Sequence, residues 1–383
     1  MTTFVLAPDS FKESLTALQV CQIMEQAILK EIPNAQCILA PMADGGEGTV
    51  DALISACHGV KVACEVSGPI PHQKIQTYFG LIDDGKTAVI EMAKANGIEL
   101  LEASKRNPLI TSTFGTGEMI LKALDLGVGK IILGLGGSVT NDAGAGMAQA
   151  LGAQFFDVHG RPVEFGGGVL GLIEKMDLSK FDTRLKDVEV LIASDVNNPL
   201  CGETGASKVF APQKGATAEM VDVLDRHLSH FADLVEAQLR IHVKHQAGAG
   251  AAGGLGFGLM AFAHAKMQSG ATLIIEQVEL AEKIKHADYV FTGEGSIDFQ
   301  TKFGKTPWAV AQVAKCFNKP VIAFSGRVGD DIETLYDQGF SEIVGITPPD
   351  CDLETALKHA QENLAEKVQE VCQRLSYLKE TIS

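Results

Sequence analysis

The residues from Ile131 to Gly146 read IILGLGGSVTNDAGAG. A β-branched apolar run of strand length gives way to a turn rich in glycine and short polar residues, and helical spacing follows over 141–152. Strand, glycine-rich turn and helix form one half of a parallel βαβ unit. In open α/β sheets, ligands bind beyond the carboxyl ends of the strands, where such turns sit. Here the glycines let backbone N–H groups approach a ligand closely, and Gly136, Gly137, Ser138 and Asn141 can offer donors beside the Asp142 carboxylate. Ser138 is not in a GxSxG elbow, which argues against a hydrolase nucleophile. The plainer alternative makes Asn141 or Asp142 a helix cap.

Five other apolar runs break off in the same way: FVLAPDSFK from Phe4, CILAPMADGGEGT from Cys37, VLIASDVNNP from Val190, YVFTGEGSID from Tyr289 and VIAFSGRVG from Val321. Helical spacing recurs over 16–31, 48–58, 116–126, 216–239, 255–268, 278–286 and 307–317. Strands that alternate with helices and lack hairpin turns predict an α/β fold with parallel pairing. The segment 60–92 differs. Its runs VKVACEV, KIQTYFGLI and TAVIEMA are joined by short Pro- and Gly-bearing turns, which predicts antiparallel strands and a second domain inserted into the first. An amphipathic helical pattern over 352–378 closes the chain.

The chain has 383 residues, room for two domains and a sizeable core. Lys+Arg number 32 and Asp+Glu 48, a net charge of −16. Nucleic-acid affinity rests on Lys and Arg neutralising phosphates, so that partner class is excluded. Small anions are not, because local N–H groups and single lysines outweigh net charge at short range. Cys21, Cys37, Cys57, Cys64, Cys201, Cys316, Cys351 and Cys372 form no CxxC pair and no zinc-like spacing, as expected of buried thiols in a reducing, cytoplasmic compartment. No signal peptide is read at the N-terminus. The uncharged stretch 247–265 is too rich in glycine for a membrane span and is expected to be a loop entering a buried helix.

Each remaining turn carries a chemical reading and a structural one. Ser10 and Lys12 suit a phosphate grip, or else a cap with a solvated lysine. Asp44, Gly45, Gly46 and Glu47 precede a helix, where they can bind an anion or Mg2+, or simply turn the chain and favour the helix dipole. Asp195 stands at a strand end where a general base meets a hydroxyl, with Asn198 nearby and Gln213 and Lys214 in a later turn. Gly248–Gly253 matches GxGxxG literally, but RIHVKHQ before it is a poor strand and no acid stands about 20 positions on. Gly304–Thr306 spells GKT, yet Phe299 replaces the first glycine of a Walker A loop. Lys305 at a helix start, with Glu294 and Asp298 close in sequence, suits a phosphate and a metal held another way. Lysines, carboxylates and glycine-rich loops together suit phosphoryl transfer, which depends mainly on positioning and charge neutralisation.

The segments APDSFKESL, PMADGGEGT, GLGGSVTNDAGAGM, SDVNNPLCGETGA, VFAPQKGA, AGAGAAGGLG and TGEGSIDFQTKFGKTP, in this order, resemble the bacterial glycerate kinase family that is neither ribokinase-like nor P-loop. The resemblance covers residues 5 to about 330. It implies ATP-dependent phosphorylation of D-glycerate with Mg2+, 2-phosphoglycerate being favoured over 3-phosphoglycerate and ADP being released. It also implies two α/β domains: a discontinuous flavodoxin-like parallel-sheet domain, 1–62 and 285–383, and an inserted mixed-sheet domain likened to restriction endonucleases, 63–284, with the active site in the cleft between them. The family positions fall on Ser10, Lys12, Asp44–Glu47, Gly136–Asp142, Asp195, Asn198, Gln213, Lys214, Glu294, Asp298 and Lys305. Of these, Asp195 is expected to be the base, Lys12 and Lys305 to neutralise the β/γ-phosphates, and Glu294 or Asp298 to hold Mg2+. The Gly136–Asn141 loop is expected to take either the glycerate carboxylate or the triphosphate. Membranes are not expected partners, and homo-oligomerisation is left open. Two other classes stand beside this one: an NAD-dependent dehydrogenase using Gly248–Gly253, and a non-catalytic anion-binding regulator.

Overall fold

The computed structural model describes residues 1–382. Their strands are β1 (Thr3–Leu6), β2 (Gln36–Leu39), β3 (Val60–Ser67), β4 (Lys74–Ile82), β5 (Thr87–Glu91), β6 (Lys130–Gly134), β7 (Gln154–Phe156), β8 (Lys175–Asp177), β9 (Glu189–Ala193), β10 (Lys266–Gln268), β11 (Tyr289–Ile297), β12 (Val321–Val328) and β13 (Phe340–Gly345). The chain divides into two compact units. The first comprises Met1–Asp44, Asp51–His58 and Ala271–Ser383, and the second Gly45–Val50 and Gly59–Gly270.

The first unit carries a five-stranded sheet in the order β13-β12-β11-β1-β2, with every adjacent pair parallel. Numbered within the unit this is the doubly wound order 2-1-3-4-5, which reverses between β1 and β11. Phe4, Val5 and Leu6 are wholly buried, as a parallel strand covered on both faces requires. The helix Ala17–Glu31 starts where Thr16 and Gln19 form a capping box. It packs Val20, Met24 and Ile28 into a core shared with Leu364 and Val368 of the C-terminal helix Ala360–Ile382.

The second unit carries a six-stranded sheet in the order β10-β9-β6-β5-β4-β3. β5, β6, β9 and β10 run parallel, whereas β3, β4 and β5 pair antiparallel, as the 60–92 segment predicts. The carboxyl ends of β5, β6 and β9 therefore lie side by side.

Helix ends depart from the sequence spacing at identifiable residues. The 141–152 helix begins only at Ala145, because Gly144 takes φ 73°. The 255–268 pattern ends at Ala263, where His264 turns left-handed and Lys266–Gln268 joins the sheet as β10. Glu279, at φ 52°, separates the helices Gly270–Gln277 and Leu280–Lys285. The C-terminal pattern is broken after Lys358 into two helices, the first capped by Asp352. Among the described residues no helix is long and apolar enough to cross a membrane, and all eight cysteines are free thiols.

Candidate active site

In the first unit the chain leaving β1 stays beside β11, with Ala7 N–H donating to the Phe291 carbonyl and Asp9 N–H to that of Gly293. This is the point of strand-order reversal, the usual ligand position in such sheets. Gly293 must be glycine, since a Cβ there would stand 2.3 Å from the Phe324 carbonyl oxygen. The Asp9 carboxylate accepts from Thr306 Oγ1 at 2.6 Å and from Ser10 N–H at 2.6 Å. Burial, with Asp44 beside it, still pushes the Asp9 carboxyl up to about 6. Glu294 accepts from Lys305 Nζ at 3.3 Å and Thr301 Oγ1 at 3.2 Å. Burial chiefly, opposed by Lys305 and aided by Asp9, raises Glu294 to about 7. Lys305 also donates to the Ser296 carbonyl at 3.2 Å. Lys12 and Asp44 are exposed. Asp298 Oδ1 accepts from Gln300 N–H at 2.8 Å and so caps the short turn Phe299–Phe303.

In the second unit three of the quoted turns meet. Gly45 has φ +89°, and a Cβ on it would lie 2.4 Å from the Ala193 carbonyl oxygen at the end of β9. A Cβ on Gly136 would lie 2.7 Å from Gly46 Cα. Only glycine fits both, so the DGGEG turn can seat against the ends of β6 and β9. Glu47 is exposed on that turn. Glu91, at the end of β5, is buried, accepts from Val50 N–H at 2.7 Å and lies 3.6 Å from Lys94.

Three carbonyls of the loop after β6 are engaged by protein donors. Gly137 O accepts from Ile98 N–H at 2.8 Å, Val139 O from Thr111 Oγ1 at 2.9 Å and Thr140 O from Lys214 Nζ at 2.7 Å. Lys214 Nζ also donates to Ser138 Oγ at 2.8 Å. Lys214 is only 1% exposed, and burial lowers it to about 7 although Asp142 acts the other way. Gly137 takes φ +71°. Among the described residues no protein acceptor engages the N–H groups of Gly136, Gly137 or Ser138, which lie on the partly exposed crest of the loop. Successive N–H groups around a left-handed residue form an anion-binding concavity.

Asp142 serves a different end from the one the motif suggests. It is fully buried and accepts from Thr113 N–H (2.8 Å), Thr113 Oγ1 (2.9 Å), Gly144 N–H (3.2 Å) and Gly146 N–H (3.3 Å). It ties the starts of two helices together, and its burial raises the carboxyl. Asn141 Nδ2 donates to Ser207 Oγ at 2.9 Å, while Asn141 Oδ1 and Thr140 Oγ1 are buried without a protein partner. Asp195 is exposed directly beyond β9. Asn198 Nδ2 donates to the Thr204 carbonyl at 2.8 Å, and Gln213 is exposed.

Gly248–Gly253 follows no strand. Ala252, Gly253 and Gly254 are left-handed, and a Cβ on Gly253 would lie 2.0 Å from the Thr140 carbonyl oxygen. The loop is a bed for Thr140–Ala143 rather than a dinucleotide fingerprint. Asp9, Glu91, Thr113, Ser207 and Thr306 were not singled out from sequence. Asp9 and Glu91 had the same signal as Asp195, an acid at the end of an apolar strand run.

Lysines paired with carboxylates at parallel strand ends, and a glycine-bearing loop with three N–H groups that no protein acceptor engages among the described residues, define an α/β fold equipped to hold small anionic ligands. A model of the Glycerate kinase family matches residues 4–376. A glycerate kinase of Haemophilus influenzae is 49% identical over 98% of this chain and 99% of its own length. A glycerate 2-kinase of Escherichia coli K12 is 46% identical over 94% of each. A crystal structure from Salmonella typhimurium LT2, described as a glycerate kinase 2, superposes with a TM-score of 0.89 at 43% identity over 99% of both chains. The chain belongs to the glycerate kinase family and is a phosphotransferase of that kind.

Proposed function

We propose that the protein transfers the γ-phosphoryl group of ATP to a hydroxyl of D-glycerate, giving 2-phosphoglycerate in preference to 3-phosphoglycerate and releasing ADP. The observation that carries this reading is the loop 136–140, in which the Gly137, Val139 and Thr140 carbonyls are engaged by protein donors while, among the described residues, no protein acceptor engages the Gly136, Gly137 and Ser138 N–H groups. Such a loop suits a carboxylate or a phosphate and no cation. The Escherichia coli relative, described as a glycerate 2-kinase, supports the 2-hydroxyl.

Asp195, exposed beyond β9, takes the proton of the attacking hydroxyl as its oxygen bonds to the γ-phosphorus and the bond to the ADP oxygen breaks. Lys305 and Lys12 neutralise the phosphates. Mg2+ fits the first unit's carboxylates. Asp9 and Glu294 are hard oxygen donors whose carboxyls are pushed up by burial and by a neighbouring carboxylate, Asp44 beside Asp9 and Asp9 beside Glu294, a situation a dication corrects. Among the described residues no three His, Cys, Asp or Glu side chains converge, and Mg2+ ordinarily takes one or two carboxylates plus phosphates and water. Glu294 and Asp9 would hold the ion, which when bound neutralises charge on the β/γ-phosphates, and Asp298 keeps its capping role. The strand order 2-1-3-4-5 supports a flavodoxin-like first domain, and the enzyme is placed in the cytoplasm.

The test is incubation with D-glycerate, ATP and Mg2+, with the product resolved as 2- or 3-phosphoglycerate. Glycerate-dependent ADP release with 2-phosphoglycerate as the main product is expected. NADH formation from a hydroxy acid, or binding without turnover, would overturn the reading.

A further inference from the structure

We propose that Lys214 is a positioning residue: without touching substrate, it holds Ser138 and the Thr140 carbonyl inward so that the Gly136–Ser138 N–H groups stay presented to an anion. The inference rests on the proposed function and assigns a device within that site.

Lys214 is brought to the loop from 74 and 76 residues away. Its own turn forces the side chain inward. Pro212 opens the short helix Pro212–Lys214, and Gly215 closes it at φ +91°, where a Cβ would stand 2.3 Å from the Arg106 carbonyl oxygen. With its turn packed this closely against Arg106, the residue is 1% exposed. Nζ ends on two oxygens of the loop, Ser138 Oγ at 2.8 Å and Thr140 O at 2.7 Å.

The loop has other anchors. Asn96 and Ile98 form a backbone bridge across Gly137 and Val139, Thr111 holds Val139, and Gly253 lies under Thr140. These engage Gly137, Val139 and Thr140 but not the Ser138 side chain, and among the described residues only Lys214 bonds both Ser138 and Thr140. The charged groups around it are few. Asp142 stands at the end of the same loop, Arg106 on the segment against Gly215 gives Nε to the Leu101 carbonyl, and Lys208 on the preceding helix pairs with Asp222. No carboxylate bonds the ammonium directly. A buried lysine served only by neutral oxygens is a poor stabiliser, and an apolar residue of the same length would fill the space at less cost. Its hydrogen bonds to the loop give its presence a purpose.

The experiment compares the full-length wild type with Lys214→Met, Lys214→Ala and Lys214→Arg. Each is measured for steady-state kinetics with glycerate and ATP varied separately, and for binding of each ligand by calorimetry. Far-UV circular dichroism confirms folding. Loss of two hydrogen bonds to the loop predicts a fall of roughly 30-fold in kcat/KM for Lys214→Met, at about tenfold per 1.4 kcal/mol. The affinity of whichever ligand the loop holds is expected to fall, and that of the other to stay within about twofold. Propylamine or butylamine should restore activity to Lys214→Ala, which leaves room for it, and not to Lys214→Met, which does not. A purely structural role would produce no amine rescue. The proposal is overturned by a folded Lys214→Met with wild-type affinities for both ligands, or by equal amine responses in Met and Ala variants. Absence of wild-type turnover would instead overturn the functional reading, and the calorimetric comparison would still decide the role of Lys214.

Discussion

Replacing Lys214 by methionine should change the sign of a stability difference with pH. Burial brings the lysine from its ordinary 10.5 to about 7. The folded state therefore prefers the neutral amine, and folding expels a proton between those values. Wild-type stability from this group is complete above pH 10.5, declines by about 1.4 kcal/mol per pH unit on acidification, and is wholly lost once the pH falls through 7. The interval from 10.5 to about 7 amounts to about 5 kcal/mol. Methionine removes this dependence, but it leaves the buried Thr140 carbonyl and the Ser138 hydroxyl without their donor. That loss is about 3 kcal/mol in all. At pH 7 the variant should therefore be the more stable by about 2 kcal/mol, and at pH 9.5 the less stable by a similar amount, with a crossing near pH 8. Urea unfolding of both proteins between pH 6 and 9.5 measures this, and subtraction cancels every group the two share. A difference that does not vary with pH would refute the reasoning. Were the crossing seen together with lost activity, Lys214 would be a residue kept for function at the expense of stability.

Four further outcomes follow from single contacts. Gly253→Ala should cost more than about 3 kcal/mol, because its Cβ would meet the Thr140 carbonyl oxygen at 2.0 Å, whereas Gly160→Ala, also left-handed but with open space around it, should cost only about 1 kcal/mol by urea unfolding. Asp142→Ala strips the acceptor from Thr113, Gly144 and Gly146 N–H groups and should cost at least about 3 kcal/mol, with Asp142→Asn costing less because one oxygen remains. Asp9→Asn should lower kcat/KM by about 100-fold, while Asp298→Asn, which preserves the cap on Gln300, should stay within about threefold; the reverse order in kinetic assays would exchange their roles. Thr16→Ala should lower the stability of the first unit by about 1 kcal/mol through loss of the capping box, read as a shift in the urea midpoint.

What sequence could reveal depended on how far a residue's partners lie along the chain. The apolar runs at Phe4, Ile131, Val190, Tyr289 and Val321 identify strands because burial on both faces leaves a local mark, and Thr16 announces its helix with a partner three residues on. The Asp9–Thr306 hydrogen bond spans 297 residues and leaves no local trace. Lys214 read only as a lysine in a turn and a candidate ligand contact for the same reason, since the two oxygens that it bonds lie in another motif. Asp142 was visible as an acid in a rich loop, and two of its donors, the Gly144 and Gly146 N–H groups, are local, but the other two come from a helix start at Thr113 that no spacing rule links to it. Gly248–Gly253, whose dinucleotide reading the poor preceding strand already weakened, is the opposite case. Its glycines do permit close backbone approach, but what approaches is Thr140 of the same chain.

The first unit's sheet also governs the order in which the chain can fold. β1 pairs with β11, and Phe4 lies opposite Tyr289. Thr292 reaches back to the Ala7 carbonyl across 285 residues. During synthesis from the N-terminus, β1 and β2 emerge long before that partner exists, so the β11-facing edge of β1 waits unpaired while the second unit, whose strands are nearer neighbours in sequence, can complete itself. Contacts this remote are slow to form, and an apolar strand with a free edge is prone to join other chains. The same insertion that gives the protein its two larger sheets thus makes the N-terminal hairpin-less pair β1–β2 its most vulnerable segment before folding is complete.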